Sequence, residues 1–319
     1  MLILVVLGAL GLSGGRPTPA GRWDAPAGPV APAGAFGLHD TPVLGGSRDL
    51  DRAFADWRAW EVRWVTVLNP RTELLRRARA EGIGVIARVW SPAPGDPGDL
   101  VTITRRMVAL GQRYVVPYNE PNLRAEWGSE PDPEVFAGRW LVAADTILAL
   151  GGTPVLTPLA PNGDYPEDLF FARFLAAIVA ARGPAWLIEH RVALGLHVYL
   201  QETADEALPY IRRYTDHVRA HLGHDLPVLV TEGGFWLPSG SPPARYHLAV
   251  QRTAALATAV RQGRLPVQAL TFWLYSNLAQ GGHDARWERA VWFASSGPTP
   301  LAVAARPEIA LAPEEPAGE

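Results

Sequence analysis

Two short motifs each contain a carboxylate among residue types that take part in catalysis. The first, Tyr-Asn-Glu-Pro-Asn at residues 118–122, is centred on Glu120, and the second, Thr-Glu-Gly-Gly-Phe at residues 231–235, contains Glu232. Two carboxylates facing one glycosidic bond can cleave it together, because one protonates the leaving oxygen while the other attacks the anomeric carbon. Their surroundings must then differ, since one group stays protonated near neutrality while the other stays ionised.

The positions of these motifs depend on eight short apolar segments that alternate with segments of helical period. We predict strands at residues 36–40, 64–69, 84–90, 114–119, 155–159, 194–199, 228–232 and 270–275. We predict helices at residues 71–80, 133–150, 166–181, 204–222 and 243–261, among others. Strand-then-helix repeats with nearly continuous apolar strands are typical of an α/β protein with a parallel sheet buried on both faces.

The pattern therefore predicts a single-domain (β/α)8 TIM barrel over residues 36–305. The alternative is an open doubly wound sheet. That fold is disfavoured because no glycine-rich GxGxxG turn follows the first strand.

Polar and aromatic residues collect where the predicted strands end. They are His39, Asp40, Asn69, Arg88, Trp90, Asn119, Glu120, Asn162, His197, Tyr199, Glu232, Trp273 and Tyr275. Active sites of TIM barrels are built at the carboxyl ends of the strands. Because strands four and seven lie opposite each other in an eight-stranded barrel, Glu120 and Glu232 are expected to face one another across its mouth.

This arrangement resembles glycoside hydrolase clan A, whose retaining (β/α)8 enzymes have an Asn-Glu pair after strand four and a Glu after strand seven. The resemblance spans residues 36–305. It implies that Glu120 is the acid/base, Glu232 the nucleophile and Asn119 a donor to the 2-hydroxyl of the sugar. The implied activity is cleavage of a β-glycosidic bond in a poly- or oligosaccharide by double displacement, with retention of configuration.

The resemblance also implies roles for residues near the two carboxylates. His197 and Tyr199 resemble a strand-six His-x-Tyr pair in which the Tyr hydroxyl bonds the nucleophile, and Trp273 resembles a platform under the reacting ring. Arg88 is a candidate to orient the nucleophile through a charge-assisted hydrogen bond. Clan members often place this Arg on strand two, where the present chain has Asn69.

Further residues are candidates for sugar contacts. His39 ends the first strand and can either contact substrate hydroxyls or close the barrel floor. Trp90, Trp127 and Trp236 lie in predicted loops above the mouth, and the flat face of an indole stacks on a sugar ring. Of the 12 Trp, others fall in helical patterns and are predicted to be core residues, including Trp57, Trp60 and Trp140.

Absent residue types exclude several kinds of chemistry. All 29 basic residues are Arg, and there is no Cys, which excludes a Schiff-base lysine, a phosphate-loop lysine and a thiol nucleophile. No His-x-His occurs at the first strand, so we predict no metal and no cofactor. A net charge of -3 gives no basic surface for nucleic acid. A carbohydrate substrate is the expected partner, and no protein partner is indicated.

The two ends of the chain differ from the predicted barrel. Residues 1–15 contain an apolar run of signal-peptide length followed by small residues, which predicts a signal peptide or an N-terminal membrane anchor. Residues 16–35 are rich in Pro, Ala and Gly and are predicted to be a linker, while residues 306–319 are predicted to be a disordered tail. We therefore expect a secreted protein or one anchored on the extracytoplasmic side of a membrane.

Two other functions fit the same residues. One is a non-catalytic pseudoenzyme that binds glycans at the cell surface, because fold and motif do not guarantee turnover. The other is transfer, in which a sugar hydroxyl rather than water captures the glycosyl-enzyme. The motifs leave the sugar and its linkage open.

Overall fold

The computed structural model describes residues 34–40, 46–47, 49–90, 96–201, 203–235, 243–276, 278–279, 282–283 and 289–307. Eight parallel strands form a closed barrel in chain order, with β1 paired to both β2 and β8. The strands are β1 Phe36–Asp40, β2 Trp64–Leu68, β3 Gly84–Arg88, β4 Tyr114–Val116, β5 Thr153–Leu156, β6 Ala193–Leu200, β7 Val228–Phe235 and β8 Ala269–Phe272. The predicted (β/α)8 barrel is confirmed.

Helices surround the barrel. They are α1 Leu50–Ala59, α2 Thr72–Ala80, α3 Leu100–Ala109, α4 Arg124–Trp127, α5 Pro133–Ala149, α6 Glu167–Arg182, α7 Pro184–Glu189, α8 Ala207–Leu222, α9 Pro243–Arg261 and α10 Pro300–Ala304. Two short antiparallel ribbons follow β8, formed by β9 Leu278–Ala279 with β10 Gly282–His283 and by β11 Phe293–Ala294 with β12 Gly297–Pro298. The five predicted helices agree with α2, α5, α6, α8 and α9 to within three residues at each end.

Local sequence explains where two of the helices begin. Asp49 precedes α1, and its side chain accepts a hydrogen bond from the backbone N–H of Arg52. The Asp132 side chain accepts hydrogen bonds from two backbone N–H groups at the start of α5. Pro133 occupies the first helical position, where its lack of an N–H leaves no donor unsatisfied. These caps stabilise the helix ends that follow the carboxyl ends of the strands.

The apolar residues form two layers. An inner cluster fills the barrel with one side chain from each of seven strands, namely Trp64, Ile86, Val116, Val155, Ala193, Leu229 and Ala269. A larger outer cluster lies between the strands and the helices and includes Trp57, Trp60 and Trp140, which confirms their predicted place in the core. Each strand is therefore covered on both faces, which accounts for its nearly continuous apolar sequence.

The predicted segments at the chain ends fall largely outside this description. The signal peptide or anchor at residues 1–15 lies outside the described residues, as do all but the last two residues of the linker and all but the first two of the tail. Within the part of the chain that is described, no helix combines the length and apolarity needed to cross a bilayer.

Packing at the barrel floor predicts a large effect for a small substitution. A Cβ at Gly84 would lie 2.5 Å from the Trp64 ring, so Gly84→Ala must displace the largest side chain of the inner cluster. We expect a loss of about 1–3 kcal/mol in the free energy of unfolding, measured by urea denaturation. Gly138→Ala is the control, because Gly138 is exposed on α5 and its Cβ would meet nothing within 4 Å.

The control should gain about 0.5–1 kcal/mol from higher helix propensity. Equal stability of Gly84→Ala and the wild type would show that the Trp64 ring has room to move.

Candidate active site

A bulge in β7 determines which way Glu232 faces. Leu229 belongs to the inner cluster, so strict alternation would direct Thr231 inward and Glu232 outward. The pairing of β7 with both neighbours shifts at this point, and Glu232 stands opposite His197 of β6. His197 is four residues after the inward-facing Ala193 and shares its face. The extra residue therefore redirects the Glu232 carboxylate to the barrel interior.

Glu120 also departs from regular strand geometry. It lies beyond the end of β4 with a φ of 36°, in the left-handed region that a residue with a Cβ adopts at a cost. The loop that holds it is fixed by Asn122, whose buried side chain accepts from the N–H of Ala160 at 2.8 Å and donates to its carbonyl at 2.9 Å. The loops after β4 and β5 are thereby held together, and Glu120 lies in the first of them.

Both oxygens of Glu232 accept strong hydrogen bonds. The Arg88 guanidinium, at the end of β3, donates to Oε1 through Nη1, and the Tyr199 hydroxyl donates to Oε2 at 2.6 Å. The structure thus places the Arg on strand three. Asn69, at the corresponding point of strand two, accepts a hydrogen bond from the backbone N–H of Trp90.

Two buried histidines contact the carboxylates from below the cavity. His197 Nδ1 lies 2.7 Å from Glu120 Oε1, and its Nε2 lies 3.7 Å from Glu232 Oε1. His39 Nε2 is also 3.7 Å from that oxygen, and the His39 ring meets the edge of Trp273 at 4.7 Å. Both imidazoles are buried, and neither is among the residues that line the cavity. They act on the carboxylates from beneath it.

Opposing effects set the charges of Glu120 and His197. Burial favours the neutral form of each, but the hydrogen bond and charge of His197, assisted by Arg88, outweigh it and lower the pKa of Glu120. Burial is likewise outweighed for His197, whose pKa the carboxylates of Glu232 and Glu120 raise. Both shifts favour a carboxylate on Glu120 and an imidazolium on His197, so the proton expected on one of the two carboxyls is held by His197 instead. The Arg88 guanidinium pairs with Glu232.

Burial has the opposite outcome at His39 and Tyr199. It lowers the pKa of His39 to about 3, and Glu232 offsets this only partly while Arg88 and His197 add to it. Burial, followed by the nearby Glu232 carboxylate, raises the pKa of Tyr199 well above its ordinary value. His39 is therefore neutral and the Tyr199 hydroxyl keeps its proton, which allows it to remain a donor to Glu232.

The spacing of three residues also resembles that of a metal site. Glu120, His197 and Glu232 each offer a ligand atom within 4.8 Å of the others. A metal ion would have to share Glu232 with the Arg88 guanidinium, which repels it, and would replace the hydrogen bond from His197 to Glu120. The contacts therefore fit a network of ion pairs better than a metal centre.

Two cavities open above these groups. The larger, about 510 Å³, is bordered by Glu120, Glu232, Tyr199 and Trp273, among other residues. A smaller one of about 140 Å³ is lined by the half-exposed Trp90 and the buried Trp127, among others. The two share Arg88, Asn119 and Glu126 as lining residues. Trp236 lies outside the described residues.

Glu126 is a cavity residue that sequence reasoning missed. It lies on α4, and its Oε1 accepts a hydrogen bond from Asn119 Nδ2 at 3.0 Å. In sequence it resembles an ordinary solvated charge six residues after Glu120. Its partner could not be found from a motif, because the contact depends on how the chain turns after β4.

The two histidines provide a test of the charge distribution. At pH 6.5 we expect His197 to be protonated, because the Glu120 carboxylate lies at hydrogen-bond distance and raises its pKa, and His39 to be neutral, because burial lowers its pKa to about 3. Nitrogen chemical shifts of the imidazoles, measured by NMR across a pH titration, distinguish the two forms. Glu120→Gln should lower the pKa of His197, since it removes the charge that stabilises the imidazolium.

His39→Phe serves to assign the signals. The charge distribution described above is wrong if both histidines titrate together near pH 6.5.

Known proteins were compared with the chain by sequence and by fold. No protein-family model and no curated protein sequence matches it. A subgroup II endo-β-1,3-glucanase of glycoside hydrolase family 128 from Sorangium cellulosum has a TM-score of 0.60 at 18% identity, covering 87% of this chain and 100% of that one. A monomeric β-xylosidase from Caulobacter crescentus gives 0.59 at 16%, covering 88% and 68%.

A third solved structure has a bound ligand. It is a subgroup I family 128 endo-β-1,3-glucanase from Amycolatopsis mediterranei in complex with laminarihexaose, with a TM-score of 0.55 at 16% identity, covering 86% of this chain and 99% of that one. At these identities the likeness establishes the fold. The chain has the (β/α)8 barrel fold of these glycoside hydrolases, as the resemblance implied.

Proposed function

We propose that this protein is a retaining glycoside hydrolase that cleaves β-glycosidic bonds in a poly- or oligosaccharide. The observation that supports this most directly is the separation of the two carboxylates, since an oxygen of Glu120 and an oxygen of Glu232 lie within 4.8 Å. Retaining enzymes separate their carboxyl groups by about 5–5.5 Å, whereas inverting enzymes need roughly 6.5–9.5 Å to admit a water molecule between carboxylate and sugar.

The hydrogen bonds favour Glu232 as the nucleophile. A nucleophilic carboxylate must be ionised and correctly oriented, and Arg88 and Tyr199 each donate to one of its oxygens. Glu120 instead shares a proton with His197 and lines the cavity. This difference between two neighbouring carboxylates supports nucleophilic attack by Glu232 and proton transfer by Glu120.

In the first step, Glu232 attacks the anomeric carbon and the glycosidic C–O bond breaks. The leaving oxygen takes a proton from Glu120, which draws it from His197. Ester formation removes the charge of Glu232, which had helped to hold the proton on the imidazole. In the second step Glu120 and His197 accept a proton from water, whose oxygen displaces Glu232, so that configuration is retained.

The compared structures suggest which sugars to test. Their names are those of endo-β-1,3-glucanases and of a β-xylosidase. We therefore propose a β-linked glucan or xylan as the substrate class. Laminarin oligosaccharides and aryl β-glucosides and β-xylosides are the probes. Binding and hydrolysis measured on the same panel separate an enzyme from a glycan-binding pseudoenzyme, since the latter binds without releasing product.

The activity lost on removal of the nucleophile should be partly restored by an external anion. Glu232→Ala should reduce turnover of an activated aryl β-glycoside by about 10³-fold or more. Azide should restore part of the rate by entering the vacated space, and the product should be the α-glycosyl azide, identified by NMR. Glu81→Ala is the control, because this carboxylate pairs with Arg58 where α2 ends, away from the site.

If Glu232→Ala turned over the substrate as fast as the wild type and formed no glycosyl azide, Glu232 would be excluded as the nucleophile. A β-configured azide from this variant would do the same.

Removal of the acid/base should depend on the leaving group. Glu120→Ala should lose about 10²-fold or more in kcat/KM on an oligosaccharide, whose leaving oxygen needs a proton. For a 2,4-dinitrophenyl glycoside the rate of the first step should be unchanged, because this leaving group departs as an anion and needs no proton. Here azide should give the β-glycosyl azide, since Glu232 remains. Equal losses on both substrates would contradict the assignment.

A further inference from the structure

The Asn119 side chain has only part of its hydrogen-bonding capacity in use. Its NH2 group has two N–H donors, one of which points to Glu126 Oε1 at 3.0 Å. Its carbonyl oxygen Oδ1 is buried and, among the described residues, accepts no hydrogen bond. Rotating the amide by half a turn would bring that oxygen against a carboxylate, and the two acceptors would repel each other. Glu126 therefore selects one orientation of the amide.

The position of Glu126 is itself fixed. The backbone N–H of Arg124, which opens α4, donates to Asp164 at 2.8 Å. Trp127, which ends it, is buried and lies 4.4 Å beneath the Arg139 guanidinium. Glu126 stands between these two anchored residues, so the part of α4 that carries its side chain is held next to Asn119.

The carboxylate also keeps its capacity as an acceptor. Arg124, the nearest cation in sequence, pairs with Glu130 instead. Within the described part of the chain, Glu126 forms no ion pair, and it lines both cavities. A hydrogen bond from an amide to an unpaired carboxylate is stronger than one to a neutral acceptor.

We propose that Glu126 is a positioning residue that holds the Asn119 amide with its second N–H available to the sugar 2-hydroxyl. This inference rests on the proposed function and on the role that the clan A resemblance implies for Asn119, which is to donate to that hydroxyl. Hydrogen bonds to the 2-hydroxyl strengthen in the transition state of glycoside hydrolysis. Loss of Glu126 therefore lowers kcat more than it raises KM.

The experiment compares a substrate that has the 2-hydroxyl with one that lacks it. The probes are 2,4-dinitrophenyl β-glucoside or β-xyloside, whichever the wild type turns over, and its 2-deoxy counterpart. Glu126→Ala should lower kcat about 10- to 100-fold on the first and less than about threefold on the second. Glu126→Gln should retain most of the activity, because its amide oxygen can still accept from Asn119.

Two further variants separate positioning from a general structural effect. Glu126→Ala combined with Asn119→Ala should be no slower than Asn119→Ala alone, since both remove one interaction. Glu130→Ala removes a neighbouring carboxylate that pairs with Arg124, and it should leave kcat on both substrates unchanged. Thermal melting confirms that each variant is folded.

Equal losses on the two substrates, or additive effects in the double variant, would overturn the role of Glu126 and leave the proposed function standing. If the wild type releases no product from any β-glycoside of the panel, the proposed function fails, and the inference fails with it.

Discussion

The buried charge of Glu232 is the interaction on which the barrel mouth depends. Withdrawing a carboxylate from water costs several kcal/mol unless it is paired and fully hydrogen-bonded. Its partners come from separate strands, with Arg88 at the end of β3 and Tyr199 on β6. His39 of β1 packs behind it. The register of these strands must therefore be fixed, since loss of Arg88 would leave a buried charge without its cation and loss of Tyr199 would leave one carboxylate oxygen without this donor.

The Glu120 and Glu232 carboxylates can both stay ionised close together because the His197 imidazole lies between them. Its Nδ1 contacts Glu120, while its Nε2 lies 3.7 Å from Glu232. The imidazolium and Arg88 together supply two positive charges for two negative ones. Like charges this close would otherwise raise the pKa of one carboxyl. The histidine that balances the charge also holds the proton that glycoside cleavage requires, so electrostatic stability and proton supply depend on the same residue.

Both carboxylates lie where the backbone leaves regular strand geometry. Glu232 follows the extra residue of a β-bulge, and Glu120 has a positive φ beyond the end of β4. Each departure has a cost, of order 1–3 kcal/mol for a sparsely populated conformation. Surrounding contacts offset it, including the two backbone hydrogen bonds through which Asn122 holds the β4 loop. The conformational cost thus falls on the residues whose direction matters for chemistry.

The amino-acid sequence by itself determined the number, type and order of the elements, because strands covered on both faces leave apolar runs and the helices between them keep their period. It also determined that Glu120 follows strand four and that Glu232 lies on strand seven. Only the tertiary structure decided that Glu232 faces inward, since alternation along β7 alone directs it outward.

The same holds for the partners of the carboxylates. Arg88 reaches Glu232 from strand three, His197 pairs with Glu120, and Glu126 turns towards Asn119. These contacts depend on strand register and on the path of a loop, and both are set by packing between residues far apart in the chain. No local pattern records them, because a motif specifies which residues are adjacent along the chain but not which of their side chains meet.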